Sequence, residues 1–591
     1  MFVCRLSRRN KLFNVFNIKK FSYINLAGRT SKELIVTLPH GGSLIGRHLV
    51  SHSGRGIKAF MGIPYAEPPV GSLRFLPPVA AAPWEGDRLA VEDSTICIQR
   101  DPFRRDFDIV GSEDCLYLNV YAPQVTRLPV MVFFHGGGWE CGSGIKAFYG
   151  PEFLMDHDIV YVSGNFRLGP LGFLSTESEH CPGNNGLKDQ VEILRWVQRN
   201  IAAFGGDPDS VTIFGESAGG ASVTYHMMSD QSQGLFHKGI SQSGTYLNPW
   251  AQPAHPGVAS SRAKKLAQIL ECSKEDFDWD ETLTCLRRKS AESITATIYD
   301  FFEWDTDPMI PFPPVVEPDV PGAFITHHPR NEKSPHGGPL PWLAGLTSEE
   351  GALKTAGLLN VPELLEDFTT NFERVLPITL YYDHFAPDVQ DEITKAIDLF
   401  YFSGRREWSK ENHQNLTNLF TDAWFLSGLD GYLRLRLEAA TRARVGPTYL
   451  YLFDHKGEAS FTEIFNGGRE HYYGVCHAEE LQYLFPVGQV LFPNALPSKR
   501  DNQVRETLTE LWEVLFCELK TLSRVPDASE KFKDFDWEPA QGYPLKYVRI
   551  GSQNEDDWEI LRKEKGFFEK RVQFWRELDA HRPNNKPHDE L

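Results

Sequence analysis

The sequence predicts an α/β fold with a large, mixed, mostly parallel sheet and helices on both of its faces. Short apolar runs rich in β-branched residues alternate with longer segments of helical spacing, which is typical of strands joined by crossover helices. One such run, residues 211–214, passes through a glycine-rich turn directly into a helix-compatible segment. No internal repeat or low-complexity linker splits the 591 residues, so a single domain is expected over residues 33–580.

The predicted elements follow this alternation from Lys32 onward. Two strands, at 34–38 and 43–50, flank a Pro-His-Gly-Gly turn at 39–42. In the helix predicted at 189–203, apolar residues recur every three or four positions, so one face is expected to be buried. The remaining predicted strands lie at 119–121, 130–134, 159–162, 211–214, 341–345 and 448–453, and the remaining predicted helices lie at 391–400, 503–520 and 558–578.

Composition and charge exclude several classes of function. The formal charge of -18 disfavours nucleic acid or an anionic membrane as a partner, because such binding starts with clustered Lys and Arg. The chain has no phosphate-binding P-loop, no dinucleotide fingerprint after a strand, and no run of about 18 apolar residues that would span a membrane. The nine cysteines form no C-x-x-C pair, and the loop histidines His327, His328 and His336 share no helical face. We therefore expect no cofactor, no metal and no membrane span.

The two ends of the chain predict different addresses. Residues 1–32 carry eight Lys or Arg and no acid, without the apolar stretch of a secretory signal, so they fit a transit peptide, a disordered basic arm or a wrongly chosen start. The flexible tail at 581–591 ends in His588-Asp589-Glu590-Leu591, the HDEL address that a retention receptor of the endoplasmic reticulum recognises. Because this signal is specific in sequence and position, we expect the endoplasmic reticulum lumen, with secretion or mitochondrial import as alternatives.

Cysteine and asparagine patterns bear on the same question. Cys97 with Cys115, and Cys272 with Cys285, are close in sequence and flanked by polar loop residues, so each pair could close a surface loop in an oxidising compartment. The odd total of cysteines leaves at least one thiol unpaired. The sequon Asn415-Leu416-Thr417 fits a luminal glycoprotein, although it is a short pattern.

One turn is predicted to present a serine. Its sequence, Phe214-Gly215-Glu216-Ser217-Ala218-Gly219-Gly220, is typical of a nucleophile elbow, a strained turn between a strand and a helix. Gly215 and Gly219 fit this turn because larger side chains would clash with the tight backbone. The turn would expose the hydroxyl of Ser217 and aim the backbone amide of Ala218 at an oxyanion. The five-residue pattern alone is weak, since it arises by chance in many sequences.

A serine hydroxyl becomes a nucleophile only with a base that accepts its proton and donors that stabilise the oxyanion. Donors are predicted in the loop His135-Gly136-Gly137-Gly138-Trp139, which directly follows the strand at 130–134. Three glycines allow the backbone to turn its amides towards one point, so the amides of Gly137 and Gly138 would join that of Ala218. A merely flexible glycine loop is the alternative.

Several longer motifs, together with this loop and turn, resemble the type-B carboxylesterase and cholinesterase family of α/β-hydrolases. They occur in the family's order and cover about residues 34–578. The additional motifs are Ser112-Glu113-Asp114-Cys115-Leu116-Tyr117-Leu118-Asn119-Val120, Asn165-Phe166-Arg167-Leu168-Gly169, Gly183-Asn184-Asn185-Gly186-Leu187-Lys188-Asp189-Gln190 and Phe204-Gly205-Gly206-Asp207-Pro208. The resemblance implies an α/β-hydrolase fold and hydrolysis of a small-molecule carboxylic ester through an acyl-serine, without a cofactor.

The resemblance also identifies the remaining catalytic residues. The family's acid precedes a glycine at a strand end, which matches Glu350 before Gly351, with Glu349 as the near miss. Its histidine lies in a G-x-x-H-x-x-E motif, which matches His477. Ser217, Glu350 and His477 then stand in the chain order expected of this fold. His477 would take the proton from Ser217, while Glu350 would fix the tautomer of the histidine.

Supports of the fold are implied by the same resemblance. It suggests ion pairs between Arg74 and Glu113 and between Arg167 and Asp189, and disulfides in the two cysteine pairs named above. For Glu216, beside the serine, two interpretations stay open: it tunes the local charge, or it caps or pairs structurally.

The resemblance narrows the substrate only in part. Cholinesterases have a choline-binding tryptophan in the first disulfide loop, and this chain has none between Cys97 and Cys115. Juvenile hormone esterases usually carry glutamine where Glu216 stands, so that assignment is open but unsupported. Trp250 resembles an acyl-pocket aromatic, with Phe312 on the same side, and a core role is the alternative for both. We expect apolar esters of xenobiotic or lipid-derived origin.

Two rival functions use the same fold. Adhesion or binding proteins of the family are catalytically inactive and typically lack a triad residue, whereas Ser217, Glu350 and His477 are all present here. A lipase acting at a membrane surface would need an apolar lid, which the sequence does not identify. Both comparisons favour a soluble ester hydrolase.

Overall fold

Strands and helices alternate through most of the chain in the computed structural model. It describes residues 34–101, 108–253, 255–274, 277–330, 338–441, 445–517, 535 and 537–580. The basic arm, the tail with its HDEL signal and His336 lie outside these residues. From Leu34 onward the described residues cluster into one compact unit, and the division of the chain into arm, domain and tail stays a prediction.

Thirteen strands form one sheet in the described ranges. In chain order they are β1 (Leu34–Thr37), β2 (Ser43–Val50), β3 (Gly56–Pro64), β4 (Asp87–Leu89), β5 (Tyr117–Ala122), β6 (Leu128–Phe134), β7 (Val160–Gly164), β8 (Gly206–Glu216), β9 (Lys238–Gln242), β10 (Trp342–Thr347), β11 (Thr448–Phe453), β12 (Lys546–Ile550) and β13 (Leu561–Lys565). Across the sheet the order is β1-β2-β3-β5-β7-β6-β8-β9-β10-β11-β12-β13, with β4 beside β2. Strands from β7 to β12 pair in parallel, and the pairings along the order beyond them at both ends are antiparallel. β4 pairs with β2 in parallel. The predicted mixed, mostly parallel sheet is confirmed.

The α-helices connect these strands. In chain order they are α1 (Lys146–Tyr149), α2 (Gly169–Phe173), α3 (Asn185–Asn200), α4 (Ala218–Met228), α5 (Val258–Ile269), α6 (Trp279–Arg288), α7 (Ala291–Ala296), α8 (Ala352–Asn360), α9 (Pro362–Thr370), α10 (Phe372–Thr379), α11 (Pro387–Ile397), α12 (Gln414–Thr421), α13 (Ser427–Ala440), α14 (Leu481–Leu484), α15 (Val487–Leu491), α16 (Lys499–Cys517) and α17 (Glu569–Ala580). Two π-helical segments, Asp398–Phe402 and Asp422–Leu426, directly follow α11 and α12.

Helices cover both faces of the sheet because its central strands are apolar on both sides. Along β6, Val132 belongs to one buried cluster and Phe133 to the other, as the period-two alternation of a strand requires. Val223 of α4 packs into the first cluster, and Trp512 of α16 packs into the second. Packing on both faces holds the strand ends, and the loops that follow them, in fixed positions.

Four strands of the parallel centre lead into the segments predicted to carry the chemistry. The glycine loop follows β6, Ser217 follows β8, Glu350 follows β10, and the segment with His477 comes after β11. The carboxyl ends of parallel strands meet at one edge of a sheet. This topology therefore brings together residues that are far apart in the sequence.

One predicted helix is wrong in its first part. The segment at 558–578 begins with strand β13, which pairs antiparallel with β12, and becomes helical only in α17. Gly566, at φ 86°, separates the two elements. The mixed charges of β13 fit either a helix or an edge strand, and the exposed edge of β12 favours the strand.

The other predicted elements differ mainly at their ends. The helix expected at 189–203 is α3 followed by a 3-10 turn, and the one expected at 391–400 is α11 followed by the first π-helical segment. The helix expected at 503–520 begins earlier, as α16. These shifts change no residue that the resemblance assigns to the site.

Covalent and ionic links brace the loops, as the resemblance implied. Disulfides join Cys97 to Cys115 and Cys272 to Cys285. The guanidinium of Arg167 donates to both carboxylate oxygens of Asp189, at 2.8 and 2.7 Å, and that of Arg74 donates to both oxygens of Glu113, at 2.7 and 2.5 Å. Two-pronged contacts of this kind fix geometry as well as charge.

Two surface properties concern the cellular address. Asn415 of the sequon is exposed in the first turn of α12, whereas Thr417 is buried. In the ranges that the structure describes, no helix is both long enough and apolar enough to cross a membrane.

Candidate active site

Ser217 lies at a strained turn between β8 and α4. Its φ of 56° and ψ of −121° form a combination that residues with a side chain rarely adopt. Within residues 211–229 it is the one residue that is not buried. Its amide donates to the carbonyl of Gln242 on β9 at 2.8 Å, and its carbonyl accepts the amide of Ala221 at 2.9 Å. The turn therefore exposes one hydroxyl within an otherwise buried segment.

Gly215 and Gly219 are required by close packing, as the sequence predicted. A Cβ on Gly215 would lie 2.5 Å from the carbonyl oxygen of Phe134, the last residue of β6. A Cβ on Gly219 would collide with the same oxygen. The end of β6 thus touches the turn, and the glycine loop that follows β6 begins directly against Ser217.

The glycine loop bends sharply beside the serine. A Cβ on Gly136 would lie only 3.2 Å from the Cβ of Ser217. Gly137, Gly138 and Trp139 have φ values of 98°, 64° and 57°, so three successive residues are left-handed. Glycine adopts this conformation without strain, which explains two of the three glycines.

His477 is held by the carboxylate of Glu350. The two groups are buried, and Nδ1 of the histidine lies 2.6 Å from Oε2 of the glutamate. The other carboxylate oxygen accepts the amide of Thr347 at 2.7 Å and the hydroxyl of Ser243. These bonds orient the carboxylate, which in turn favours a proton on Nδ1 and leaves Nε2 as the basic nitrogen.

The second ring nitrogen of His477 faces Glu216. Glu216 Oε1 lies 3.0 Å from Nε2, and this oxygen makes no hydrogen bond of regular geometry within the described residues. Among the residues that the structure describes, no hydrogen bond joins Ser217 Oγ to the imidazole of His477. The imidazole therefore lies between two carboxylates, those of Glu350 and Glu216.

Burial and charge act on this group in opposite directions. Burial lowers the pKa of His477, but the carboxylates of Glu216 and Glu350 outweigh it and raise the pKa above its ordinary value. Burial raises the pKa of the Glu216 carboxyl, and His477 offsets part of that shift. Burial also raises the pKa of nearby Glu480. The pKa of His477 and the pKa values of the Glu216 and Glu480 carboxyls are thus all shifted upwards.

Glu349, the near miss for the catalytic acid, joins two loops. Its Oε2 accepts the backbone amide of Val475 at 2.9 Å, and its own amide donates to the carbonyl of Val475 at 3.1 Å. Gln553 Nε2 donates to the same carboxylate oxygen at 2.9 Å. Because Glu349 precedes Glu350 and Val475 lies two residues before His477, these bonds fix the spacing of acid and base.

An aromatic wall stands beside the imidazole. The ring of Phe425 packs on His477 with centroids 4.6 Å apart, and Trp250 packs against Phe425 at 6.0 Å and against Trp139 at 6.1 Å. The indole N–H of Trp250 donates to the carbonyl of Trp424 at 2.8 Å. Trp250, predicted to bind substrate, thus lies between the histidine and the glycine loop.

Phe312 is also buried and is tied to the glycine loop. Its amide donates to Glu140 Oε1 at 3.4 Å, and its ring packs edge-on against Phe301 at 4.9 Å. Glu140 follows Trp139 directly, and burial raises the pKa of its carboxyl. Contacts with the core and with the site coexist, so both interpretations given for Phe312 stay open.

Two residues of the site, Ser243 and Phe425, were not predicted from the sequence. Ser243 directly follows β9, the strand beside the one that leads to Ser217, and its hydroxyl donates to Glu350. Its position at the end of a neighbouring strand is the signal that could have found it. Phe425 had no such signal, because its place in a π-helical segment after α12 does not reveal contact with the His477 loop.

The comparisons with known proteins identify the fold and the family. The fold is similar to the crystal structure of a juvenile hormone esterase from Manduca sexta with OTFP covalently attached, with a TM-score of 0.76 and 26% identity over 93% of this chain and 100% of that one. The architecture is that of an α/β-hydrolase. The chain matches the carboxylesterase family over residues 32–575 and belongs to it. It is a serine carboxylesterase.

Relatives of known sequence support the same assignment. The chain is 35% identical to a juvenile hormone esterase of Tribolium castaneum, over 85% of this chain and 86% of the relative. It is 37% identical to venom carboxylesterase-6 of Apis mellifera, over 74% and 78%. It is 34% identical to esterase FE4 of Myzus persicae, over 86% and 88%.

Proposed function

We propose that this esterase works through an acyl-serine formed on Ser217. One arrangement carries the proposal: a partly exposed serine on a strained turn lies against the glycine loop, at the edge of the sheet where Glu350 holds His477. The base and the oxyanion donors that a serine hydroxyl needs as a nucleophile thus each have a candidate group at this edge.

The steps follow from these groups. His477, with its Nδ1 proton donated to Glu350, accepts the proton of Ser217 at Nε2 while Oγ attacks the ester carbonyl. Nε2 returns that proton to the departing alkoxide, and the alcohol leaves. Water, deprotonated by the same nitrogen, then attacks the acyl-serine. Nε2 returns this proton to Ser217 Oγ as the acid leaves, which restores the starting enzyme. The oxyanion of both tetrahedral intermediates is stabilised by three backbone amides, those of Gly137, Gly138 and Ala218.

The hydrogen bond between serine and histidine forms as the substrate binds. In this structure Nε2 lies beside Glu216. Catalytic hydrogen bonds are commonly long without a ligand and tighten in the reacting complex. In the reacting complex, rotation of the imidazole from Glu216 towards Ser217 completes the triad.

The substrates are apolar, uncharged esters. Support comes from the rings of Phe425, Trp250 and Trp139, which are buried and pack in succession beside His477, so this side of the imidazole is apolar. Two similar proteins are named juvenile hormone esterases, so that hormone belongs in the test panel. Among esters graded in acyl and alcohol size, we expect kcat/KM to be highest for apolar members. A preference for quaternary ammonium esters would contradict this view.

A labelling experiment tests the mechanism. The purified protein is incubated with an organophosphate, the label is mapped by mass spectrometry, and turnover of a p-nitrophenyl ester is measured. We expect label on Ser217 alone and loss of both label and turnover in Ser217→Ala. Ser290→Ala, which removes an exposed serine that caps α7, is the matched control and should change neither. Turnover that survives Ser217→Ala would contradict the mechanism, and absence of turnover in the unmodified protein would reopen the inactive-homologue alternative.

The compartment is a separate proposal. Disulfides persist in oxidising compartments, so the Cys97–Cys115 and Cys272–Cys285 bridges support the secretory pathway. The proposal also includes retention in the endoplasmic reticulum through residues 588–591 and glycosylation at Asn415. Deleting residues 588–591 should release the protein into the medium, and glycosidase treatment should lower its apparent mass. Unchanged location of the deletion variant, or import into mitochondria, would contradict the retention signal.

A further inference from the structure

The hydroxyl of Ser222 is buried one turn beyond the serine elbow, on α4. It donates to the backbone carbonyl of Ala218 at 2.8 Å. It accepts the indole N–H of Trp139 at 3.0 Å and the side-chain amide of Gln190 at 3.3 Å. A serine hydroxyl has one proton to donate and two lone pairs to accept with. All three capacities of this hydroxyl are used.

Its partners belong to both sides of the predicted oxyanion hole. Ala218 opens α4 and supplies one of the three proposed amides, and Trp139 follows Gly138, which supplies another. The two sides lie on different elements, the helix after β8 and the loop after β6. We propose that Ser222 is a positioning residue that holds these two sides of the oxyanion hole at a fixed separation.

Trp139 can transmit this constraint because its ring and backbone are both held. The ring is fully buried and packs against Trp250 at 6.1 Å and Phe173 at 5.8 Å. The carbonyl of Trp139 accepts the amide of Gly169 at 2.7 Å. A shift of the indole therefore moves the peptide that joins Trp139 to Gly138.

A chain of hydrogen bonds fixes Ser222 from behind. Gln190 Oε1 lies 2.9 Å from His226 Nε2, and His226 Nδ1 lies 2.7 Å from Ser232 Oγ. Burial lowers the pKa of His226 to about 3, so the ring is neutral. One set of directions satisfies the chain: Ser232 donates to Nδ1, Nε2 donates to Gln190, and Gln190 donates to Ser222. The hydroxyl of Ser222 is left with its proton for Ala218.

Loss of the constraint from Ser222 should weaken stabilisation of the transition state and leave substrate binding unchanged. Oxyanion donors act on charge that develops during the reaction, and their benefit depends on sub-ångström placement. Loosening one side of the hole should lower kcat and leave KM almost unchanged. This inference rests on the proposed acyl-serine mechanism.

Two substitutions and a control test it. Ser222→Ala removes all three bonds, and Trp139→Phe removes only the indole donor while a large ring remains. Thr509→Val removes a comparable buried hydroxyl, which donates to a carbonyl four residues earlier in α16 at 3.0 Å, away from the site. For each variant kcat, KM and the affinity for a trifluoromethyl ketone are measured, because the tetrahedral adduct of this inhibitor puts an oxyanion in the hole.

We expect Ser222→Ala and Trp139→Phe each to lower kcat and ketone affinity about tenfold, with KM changed by less than about twofold. The double variant should be no slower than Ser222→Ala, since both substitutions break the same link. Thr509→Val should match the unmodified protein. Unchanged kcat and ketone affinity in Ser222→Ala, losses shared equally by kcat and KM, or additive losses in the double variant would overturn the proposal. If Ser222→Ala does not fold, Trp139→Phe decides alone.

Organophosphate labelling distinguishes failure of the positioning role of Ser222 from failure of the acyl-serine mechanism. If the unmodified protein is labelled on Ser217 and the Ser222 and Trp139 variants keep full kcat, only the positioning role is wrong. If Ser217 is not labelled, the acyl-serine mechanism itself is wrong.

Discussion

Replacing Glu216 by glutamine should move the acid limb of the kcat/KM profile to lower pH. In the proposed mechanism only the neutral imidazole of His477 accepts the proton of Ser217, so activity should rise as pH passes upward through the pKa of His477. The carboxylate of Glu216, 3.0 Å from Nε2, stabilises the imidazolium and contributes to the raised pKa. Glutamine keeps the shape of the side chain and removes its charge. The pKa of His477 then falls, and the limb moves in the same direction.

The distance sets the size of the shift. Two unit charges at this separation interact by about 1.4 kcal/mol in a medium like water and by about 5.5 kcal/mol at the effective dielectric constant typical of protein sites. These energies correspond to about one to four pKa units. Because burial also raises the pKa of the Glu216 carboxyl, this group carries its full charge only towards higher pH. We therefore expect a shift of about one unit or more.

The assay is the pH dependence of kcat/KM for an ester whose own charge does not change over the range. Glu479→Gln is the matched control. Glu479 is buried two residues from His477, but its carboxylate accepts from Ser460 Oγ at 2.5 Å and from the amide of Phe461 at 2.9 Å. Its removal should leave the limb in place. The assignment of the raised pKa to Glu216 would be refuted if the acid limb of Glu216→Gln stayed at the same pH or moved to higher pH. It would also be refuted if the limb moved equally in the control.

Two further predictions concern the supports of the site. Glu349→Ala should lower kcat about tenfold, because the amide of Val475 loses its side-chain acceptor and only the backbone bond still joins the two loops. Stopped-flow acylation rates equal to those of the unmodified protein would contradict this role. Asp189→Ala should lower the free energy of unfolding by about 3 to 5 kcal/mol, because it leaves the buried guanidinium of Arg167 without its carboxylate. Urea unfolding measures the loss, and a midpoint equal to that of Lys274→Ala, which breaks an exposed ion pair, would contradict it.

The local parts of the site could be predicted from sequence because each is contiguous. The elbow around Ser217 and the loop with Gly137 and Gly138 depend on neighbouring residues whose backbone needs glycine. Glu350 and His477 came from motifs of the family, and composition alone would have left them among many acids and histidines.

The links between these parts could not be predicted, because each joins segments that meet only in the folded sheet. Glu349 reaches Val475, Ser243 reaches Glu350, and Phe425 packs on His477. None of these contacts has a spacing that a sequence pattern could reveal. For the same reason β13 was taken for helix: its charges fit both structures, and a partner strand distant from the motif decided between them.

Strain and buried charge are concentrated around Ser217 and His477. Contacts between distant segments explain how the fold keeps this strained region in place. Ser217 and Trp139 have left-handed backbones, and two carboxyl groups contact one buried imidazole. Each strained residue costs about 1 to 3 kcal/mol and persists only where its surroundings determine the conformation. The bonds of Glu349 and Ser222 supply that constraint from outside the triad. Catalysis should therefore be sensitive to substitutions that touch neither substrate nor triad, and such sensitivity should affect kcat before it affects substrate binding.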